Sequence, residues 1–299
     1  MEQINCPPEH IDSKEKISNN YIEVYGSNIH YIEAGSGDPI VFLHGMPTSS
    51  FIWRKVMQKT AKYCHCYAPD LIGMGKSDKP EISYTIDDHI NYIHTFIGKL
   101  NLKNITLVMH AWGSIIGFEY ARLHPENVKG LAFYEAHIKT FKSEEDTALP
   151  VAEFVSMLKY HDDVYKKVID DNFLLKNFLH AGMMHSLTNS ELAAYTDPFK
   201  NKKDRLVLLQ YINELPFGKK PNRVSDIIDS YSSFLQDSKI PKLLMYAIPG
   251  FTTSISAIGW AKQNMPNLTI SELGDGLHFV QETNSSRFSE KLNEWYTDI

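Results

Sequence analysis

The turn within residues 107–114 constrains the fold of this chain more than any other segment. Residues 104–109 form a short apolar run, and residues 114–123 have the pattern of a helix that follows almost at once. Gly113 and Gly117 give that helix a small surface on which it can approach the preceding strand. A strained turn of this kind lifts one side chain away from the sheet. The residue at the predicted apex is Ala111.

Strand patterns alternate with helical patterns along much of the chain. Residues 86–100 carry apolar side chains at helical spacing, and residues 21–31 read as a hairpin around Gly26-Ser27-Asn28. Residues 39–43 are a continuous apolar run that ends abruptly, as a buried parallel strand would, and residues 64–68 read as a second such strand. Residues 104–109, 128–134, 242–248 and 268–272 are the further predicted strands. This alternation predicts an α/β fold with a mostly parallel, doubly wound sheet.

The strand signal disappears between residues 137 and 220. Helical patterns take its place at residues 151–158, 164–172 and 191–194. An all-helical insertion between two strands of a sheet is typical of a lid over a site. We therefore expect a core formed by residues 1–136 and 221–299, with a helical cap at residues 137–220.

Composition narrows the classes of partner. The net charge is −6 and no segment concentrates Lys and Arg with aromatic residues, so we expect no nucleic-acid binding. The longest apolar stretches are too short to cross a bilayer, and the first residues do not resemble a secretory signal. Three cysteines are a sparse and odd number, which favours reduced thiols. We expect a cytoplasmic protein that is a monomer or a weak dimer.

Segments spread over nearly the whole chain resemble the haloalkane dehalogenases. Residues 110–113 are similar to the His-Asp-Trp-Gly turn of that family, with Ala111 where the family has aspartate. The other similar segments are the first active-site loop (44–50, with Trp53 and Arg54), a glycine turn (70–77), two parts of the cap (197–199 and 213–216) and a histidine loop (276–278, with Gln281 and Glu282). The resemblance implies an α/β-hydrolase fold with an inserted helical cap.

The resemblance also implies a catalytic set. An aspartate in the place of Ala111 would displace a halide and form an alkyl ester, which water activated by His278 would cleave. Glu135 would orient that histidine, since it ends a predicted strand where a buried charge needs a partner. The competing acid position follows residue 248, where the chain reads PGFT and offers no carboxylate.

Further residues are expected around this set. The backbone N–H groups of Met46 and Trp112 would hold an oxyanion, and the Trp112 indole N–H would face the halide. Relatives usually add a second halide donor, an asparagine in the first loop or a tryptophan in the cap. This chain has Met46 in the loop and no tryptophan in the cap, so one of the two expected halide donors is absent. The cap residues expected to line the pocket are Val155, Phe173 and Leu174.

Ala111 removes the nucleophile, because a methyl group can neither attack carbon nor be hydrolysed. The chain is either an aspartate-to-alanine variant or a natural relative that binds without turnover, and the retained His278 and Glu135 favour the first. The predicted function is that of a dehalogenase-like hydrolase, inactive as written, for a small apolar electrophile such as a haloalkane. No cofactor and no metal are expected.

Other activities remain open. Epoxide opening needs the same catalytic set and two cap hydroxyls, for which the candidates are Tyr160, Tyr165, Tyr195 and Tyr211. A binding protein without turnover is the alternative from another class. A luciferase-like oxygenase is a further alternative, since the cap segments also resemble coelenterazine luciferases.

Overall fold

An eight-stranded sheet forms the centre of the computed structural model, which describes residues 16–140, 149–158, 163–216 and 222–299. The strands are β1 (Ser18–Val24), β2 (Ser27–Gly35), β3 (Pro39–Leu43), β4 (His65–Pro69), β5 (Ile105–His110), β6 (Val128–Tyr134), β7 (Lys242–Pro249) and β8 (Leu268–Gly276). They lie in the order β1-β2-β4-β3-β5-β6-β7-β8. The pairs β1/β2 and β2/β4 are antiparallel and the others are parallel. The predicted mostly parallel α/β fold is confirmed.

Helices cover the sheet and connect its strands. The described α-helices are α1 (Arg54–Thr60), α2 (Ile86–Lys99), α3 (Trp112–Leu123), α4 (Leu149–Leu158), α5 (Leu179–Ala181), α6 (Asn189–Thr196), α7 (Leu206–Glu214), α8 (Arg223–Asp237), α9 (Ile255–Asn264), α10 (Val280–Thr283) and α11 (Ser285–Thr297). Helix α2 shows how local sequence sets a boundary. Its capping box pairs Thr85 with Asp88, and its apolar face, including Ile93 and Phe96, is buried.

The central strands are buried on both faces, as parallel strands under two layers of helices must be. Every residue of β5 is buried. Leu43 pairs with Met109, and Met109 pairs with Phe133, so β3, β5 and β6 end at the same level. The segments that follow these strands therefore meet at one edge of the sheet, which is where α/β proteins place their sites.

Only helices are found among the described residues between β6 and α8. Residues 164–172, which we expected to be one regular helix, contain a π-helix at Lys166–Asp170, and a second π-helix follows at Leu174–Phe178. A π-helix shifts the direction of the following side chains, and such segments are frequent at functional sites. The boundaries of a separate cap at residues 137–220 stay a prediction.

The first hairpin turns one residue earlier than expected. Tyr25 and Gly26 both have positive φ, at 51° and 75°, as a two-residue turn of type I′ requires.

Elsewhere, Cys64 and Cys66 are buried free thiols with their sulfurs 3.5 Å apart. Within the described ranges, the helices lack the length and apolar character that crossing a membrane would require. The cytoplasmic location and the monomeric or weakly dimeric state stay predictions.

Candidate active site

Ala111 forms the apex of the sharp turn between β5 and α3. Its φ of 46° and ψ of −118° are a combination that residues with a side chain rarely adopt, so the backbone is strained here. Two glycines make room for the turn. A Cβ on Gly45 would lie 2.7 Å from the Ala111 Cβ, and one on Gly113 would lie 2.5 Å from the Leu43 carbonyl oxygen. Larger residues at these positions would push the turn away from the strand.

Hydrogen bonds through Ser114 hold the turn in place. The Ser114 hydroxyl donates to the Ala111 carbonyl oxygen at 2.6 Å, and the Ser114 backbone N–H donates to the same oxygen at 2.9 Å. The Ser114 hydroxyl in turn accepts from the backbone N–H of His137 at 3.0 Å. The turn after β5 is thereby connected to the segment after β6.

Glu135 and His278 form a buried pair. The carboxylate Oε2 lies 3.0 Å from His278 Nδ1, and both side chains are almost fully enclosed. The imidazole donates its Nδ1–H to the carboxylate, which leaves Nε2 as an acceptor. An imidazole held in this tautomer can take a proton from a reactant at Nε2 and be stabilised by the carboxylate once it is charged.

The loop after β7 completes the surroundings of Glu135. The backbone N–H groups of Phe251, Thr252 and Thr253 all donate to its carboxylate, at 3.2, 2.5 and 3.2 Å. This loop is the competing acid position considered from the sequence. It provides backbone donors where a carboxylate would otherwise stand, so it supports the charge on Glu135.

Ala111 and His278 line one cavity of about 20 Å³. Its other lining residues come from the segments after β6 and β7 and from the helical region, and they are His137, Val151, Phe154, Phe178, Tyr211, Leu215, Phe251 and Thr252. Aromatic rings also surround the imidazole, with Phe178 and Phe251 at centroid distances of 5.4 and 5.2 Å. A volume of this size has room for about one water molecule.

Hydrogen-bond donors are left without acceptors beside the turn. Within the described ranges, the backbone N–H groups of Met46 and Trp112 have no hydrogen-bond acceptor. The buried Trp112 indole N–H also has no partner there, and its ring packs edge-on against Tyr211 at 5.0 Å. Neither Met46 nor Trp112 is among the residues that line the cavity, but both adjoin lining residues, Trp112 through Ala111 and Tyr211, and Met46 through Gly45 against the Ala111 Cβ. Buried donors are normally paired, so unpaired ones beside the turn are suited to a ligand oxygen or anion.

Two further histidines lie at the site, and sequence reasoning did not identify them. His110 Nε2 is 2.9 Å from the His278 carbonyl oxygen, and the two rings are 4.6 Å apart. Burial lowers the pKa of His110, and it lowers that of His137 to about 4, with His278 adding to the effect in both cases. Both are therefore neutral at pH 7. The only sequence signal for them was their position beside Ala111 and Glu135.

A cluster of charged residues, here called the clasp, connects α1, α6 and α10 beside the histidine loop. Glu282, whose side chain is fully buried, contacts Arg54 at 2.5 Å and Lys55 at 2.9 Å, and it accepts from the Tyr195 hydroxyl. Glu191 contacts Arg54 at 2.7 Å and Lys55 at 2.9 Å from the more exposed side. The clasp fixes α6 to the core four residues after His278.

Comparison with known proteins places these features in a family. The sequence model of the α/β hydrolase fold family matches residues 38–285 of this chain. A haloalkane dehalogenase of Mesorhizobium japonicum is 33% identical over 296 residues, covering 98% of this chain and 95% of that protein. The chain belongs to the haloalkane dehalogenase family. A second member, from Agrobacterium fabrum, is 32% identical and covers 93% of this chain and 91% of its own.

Solved structures of haloalkane dehalogenases have the same fold. One from Agrobacterium tumefaciens superimposes with a TM-score of 0.88 at 30% identity, covering 94% of this chain and 97% of that one. Another, from Bradyrhizobium elkani, has a TM-score of 0.90 at 31% identity, covering 95% and 98%. The expected resemblance, α/β-hydrolase fold and dehalogenase type are therefore confirmed.

The cap residues that line the cavity differ from those predicted from the sequence. Val155, Phe173 and Leu174 were expected to line it, but none is among the residues that line the cavity. Val155 and Leu174 belong to the continuous buried core, and Phe173 packs against that core. Helix α4 turns Val151 and Phe154 towards Ala111 instead, and the second π-helix contributes Phe178.

Two of the three described tyrosines considered for epoxide opening are directed elsewhere. Tyr165 is 56% exposed, and the Tyr195 hydroxyl donates to Glu282 in the clasp. Tyr211 lines the cavity, and burial raises the pKa of its hydroxyl. Tyr160 lies outside the described residues. One tyrosine among the three described ones therefore reaches the cavity, whereas epoxide opening was expected to need two.

Proposed function

We propose that this chain has the site of a dehalogenase that binds a small halogenated alkane, and that Ala111 leaves it without the nucleophile. The observation that supports this most is the common cavity shared by Ala111 and His278, with Glu135 behind the imidazole. An aspartate in the place of Ala111 would stand at the strained apex of the turn, facing the substrate. Its carboxylate would attack carbon and release halide, and His278 would activate water to cleave the ester.

The halide would leave towards Trp112. The unpaired indole N–H of this residue is suited to an anion in a site from which water is largely excluded. Met46 stands where an asparagine would give a second donor, and a thioether cannot donate a hydrogen bond. We therefore expect weaker stabilisation of the leaving halide, and a preference for bromide, a better leaving group, over chloride.

Substrate binding requires the aromatic side chains that line the cavity, here called the aromatic wall, to move. A cavity of about 20 Å³ is far smaller than a haloalkane, while ligand pockets generally span hundreds of Å³. Phe154, Phe178 and Tyr211 line the cavity from the helical region, so rotation of these side chains or displacement of their helices would enlarge it. Opening and closing of this kind commonly limits turnover in enzymes with caps.

The test is to restore the carboxylate and measure halide. The unaltered chain, Ala111→Asp and Ala111→Asn are incubated with chloro- and bromoalkanes of increasing chain length. Only Ala111→Asp should release halide, by a factor of about 10⁴ or more over the others, because the nucleophile and base act as one unit. The asparagine variant is the matched control, with the same shape and no nucleophilic oxygen. Folded Ala111→Asp that binds haloalkanes but releases no halide would instead support a binding protein, and epoxides assayed in parallel test the alternative electrophile.

A further inference from the structure

We propose that the chain as it stands hydrolyses small carboxylic esters directly, with the His278–Glu135 pair acting as general base on a water molecule beside Ala111. This activity goes beyond halide displacement, because it requires no side-chain nucleophile and forms no covalent intermediate. It uses the parts of the site that remain complete without a carboxylate at residue 111. Three features of the structure carry it.

The first feature is the room beside the methyl group. The cavity that Ala111 and His278 line has a volume of about 20 Å³, enough for about one water molecule. A water in a protein interior needs two to four polar partners. His278, Thr252 and Tyr211, which carry polar side chains, line the same cavity. A water here would occupy the space that a carboxylate side chain would otherwise fill.

The second feature is a base already in the reactive tautomer. Nδ1 of His278 faces Glu135 at 3.0 Å, so Nε2 is the nitrogen available to a reactant. Glu135 is itself fixed by the N–H groups of Phe251, Thr252 and Thr253. The imidazolium formed when Nε2 takes a proton is therefore stabilised by a carboxylate that cannot turn away. Nothing in this arrangement depends on the residue at position 111.

The third feature is a pair of donors for the developing oxyanion. The backbone N–H of Trp112 is adjacent to Ala111 in the chain. Met46 follows Gly45, and a Cβ on Gly45 would lie only 2.7 Å from the Ala111 Cβ. Both N–H groups are thus close to the methyl, and neither has an acceptor within the described residues. Two preorganised N–H groups of this kind stabilise a tetrahedral oxyanion.

The reaction balances without a co-reactant other than water. His278 Nε2 removes a proton from the water while the water oxygen bonds to the ester carbonyl carbon. The carbonyl oxygen becomes an oxyanion, which the Met46 and Trp112 N–H groups hold. Collapse breaks the bond between this carbon and the ester oxygen. The imidazolium returns the proton to the leaving alkoxide or phenoxide, and the products are a carboxylic acid and an alcohol or phenol. Because the cavity holds only about one water, the ester needs the same movement of Phe154, Phe178 and Tyr211 as a haloalkane would, and we expect small acyl groups such as acetyl to react best.

The experiment measures hydrolysis of para-nitrophenyl acetate by the full chain and three variants. His278→Gln removes the base and should lower kcat/KM by about 100-fold, the usual range for general base catalysis being 10²–10⁴. Ala111→Asn leaves the base intact and fills the space for water with a non-nucleophilic amide, so it should lower kcat by about 10-fold or more. His185→Gln changes an exposed histidine and should leave the rate unchanged. Mass spectrometry during turnover should show no acetylated residue.

Each contrary result has a definite meaning. Unchanged hydrolysis by folded His278→Gln, or by Ala111→Asn, would overturn the proposal, as would an acetyl adduct that forms and decays at the rate of turnover. If His278→Gln does not fold, Ala111→Asn alone decides. The unaltered chain is the active species here, whereas halide release is measured on Ala111→Asp, so failure of one proposal is distinguishable from failure of the other.

Discussion

The Glu135 carboxylate accepts the Nδ1–H of His278 across 3.0 Å while three consecutive backbone N–H groups after β7 donate to the same carboxylate. Four donors therefore converge on one fully buried charge. A buried charge is tolerated only when it is paired and hydrogen-bonded, and this arrangement meets that condition. It also ties together the ends of β6, β7 and β8, on which the position of the imidazole depends.

Replacing Glu135 by Gln should destabilise the protein. Each carboxylate oxygen faces two donors, so the amide NH₂ must point at N–H groups whichever way it turns. We expect the free energy of unfolding to fall by about 2–4 kcal/mol, since hydrogen bonds to charged groups contribute about 1.5–3 kcal/mol each before relaxation. Urea unfolding measures this. Glu23→Gln, at an exposed residue, should change it by less than about 0.5 kcal/mol; equal effects would show that the convergence of donors is unimportant.

Adding one methyl group beside the turn should have the opposite effect to adding one on a helix surface. Gly45→Ala places a Cβ 2.7 Å from the Ala111 Cβ, so we expect a loss of about 1–3 kcal/mol from overpacking. Gly98→Ala in α2 meets nothing within 4 Å and should gain about 0.5–1 kcal/mol, because alanine favours helix. Thermal unfolding of both variants provides the comparison. Stabilisation by Gly45→Ala would mean that Gly45 and Ala111 are further apart than described.

The two carboxylates of the clasp should contribute unequally. Glu282 is fully buried, so Glu282→Gln leaves Arg54 and Lys55 without their enclosed partner and should cost about 3–5 kcal/mol. Glu191 contacts the same cations from a side chain that is 22% exposed, and Glu191→Gln should cost about 1 kcal/mol or less. Denaturant unfolding at low and high salt separates them, because only the Glu191 contribution should be screened appreciably. Equal losses would indicate that α6 is held by something other than the clasp.

Acid should weaken the fold through buried neutral histidines. Burial lowers the pKa of His89 from 6.5 to about 3, and nearby His44 contributes to this shift. Between these two values, His89 is protonated in the unfolded chain and neutral in the folded chain. The His89 contribution to stability is therefore complete above pH 6.5 and is lost progressively as the pH falls towards 3, by about 1.4 kcal/mol per pH unit.

This dependence can be isolated with one substitution. The stability difference between the unaltered chain and His89→Leu should be constant above pH 6.5 and should move against the unaltered chain below it. His185→Gln, at an exposed residue, should leave the slope unchanged. Parallel stability curves for His89→Leu and the unaltered chain from pH 7.5 to 5 would contradict the prediction.

Much of the core could be predicted because its signals are local. The run at Pro39–Leu43 is a strand with the predicted bounds, since it is a continuous apolar segment that ends at a clear break. The strand at Val128–Tyr134 also has the predicted bounds. The proximity of Ala111, Glu135 and His278 followed from their positions at strand ends and from the resemblance. Chain order at one edge of a parallel sheet is enough to bring such residues together.

The cap side of the cavity could not be predicted in the same way. Helix α4 is apolar at Leu149, Val151, Phe154, Val155 and Leu158, so periodicity does not single out the face that turns towards the site. The π-helix at Leu174–Phe178 changes side-chain direction without a sequence pattern that marks it, and it turns Phe178 to the cavity. Tertiary packing decides both.

The most direct test of the site is to trap a covalent ester on residue 111. The double variant Ala111→Asp with His278→Gln is mixed with n-butyl bromide, digested and analysed by mass spectrometry. The restored carboxylate should capture one butyl group on the peptide that contains residue 111, and the ester should persist because the base is absent, whereas Ala111→Asn treated alike should remain unmodified. A folded double variant that carries no butyl group on residue 111, or carries it elsewhere, would contradict the placement of this turn as the centre of the active site.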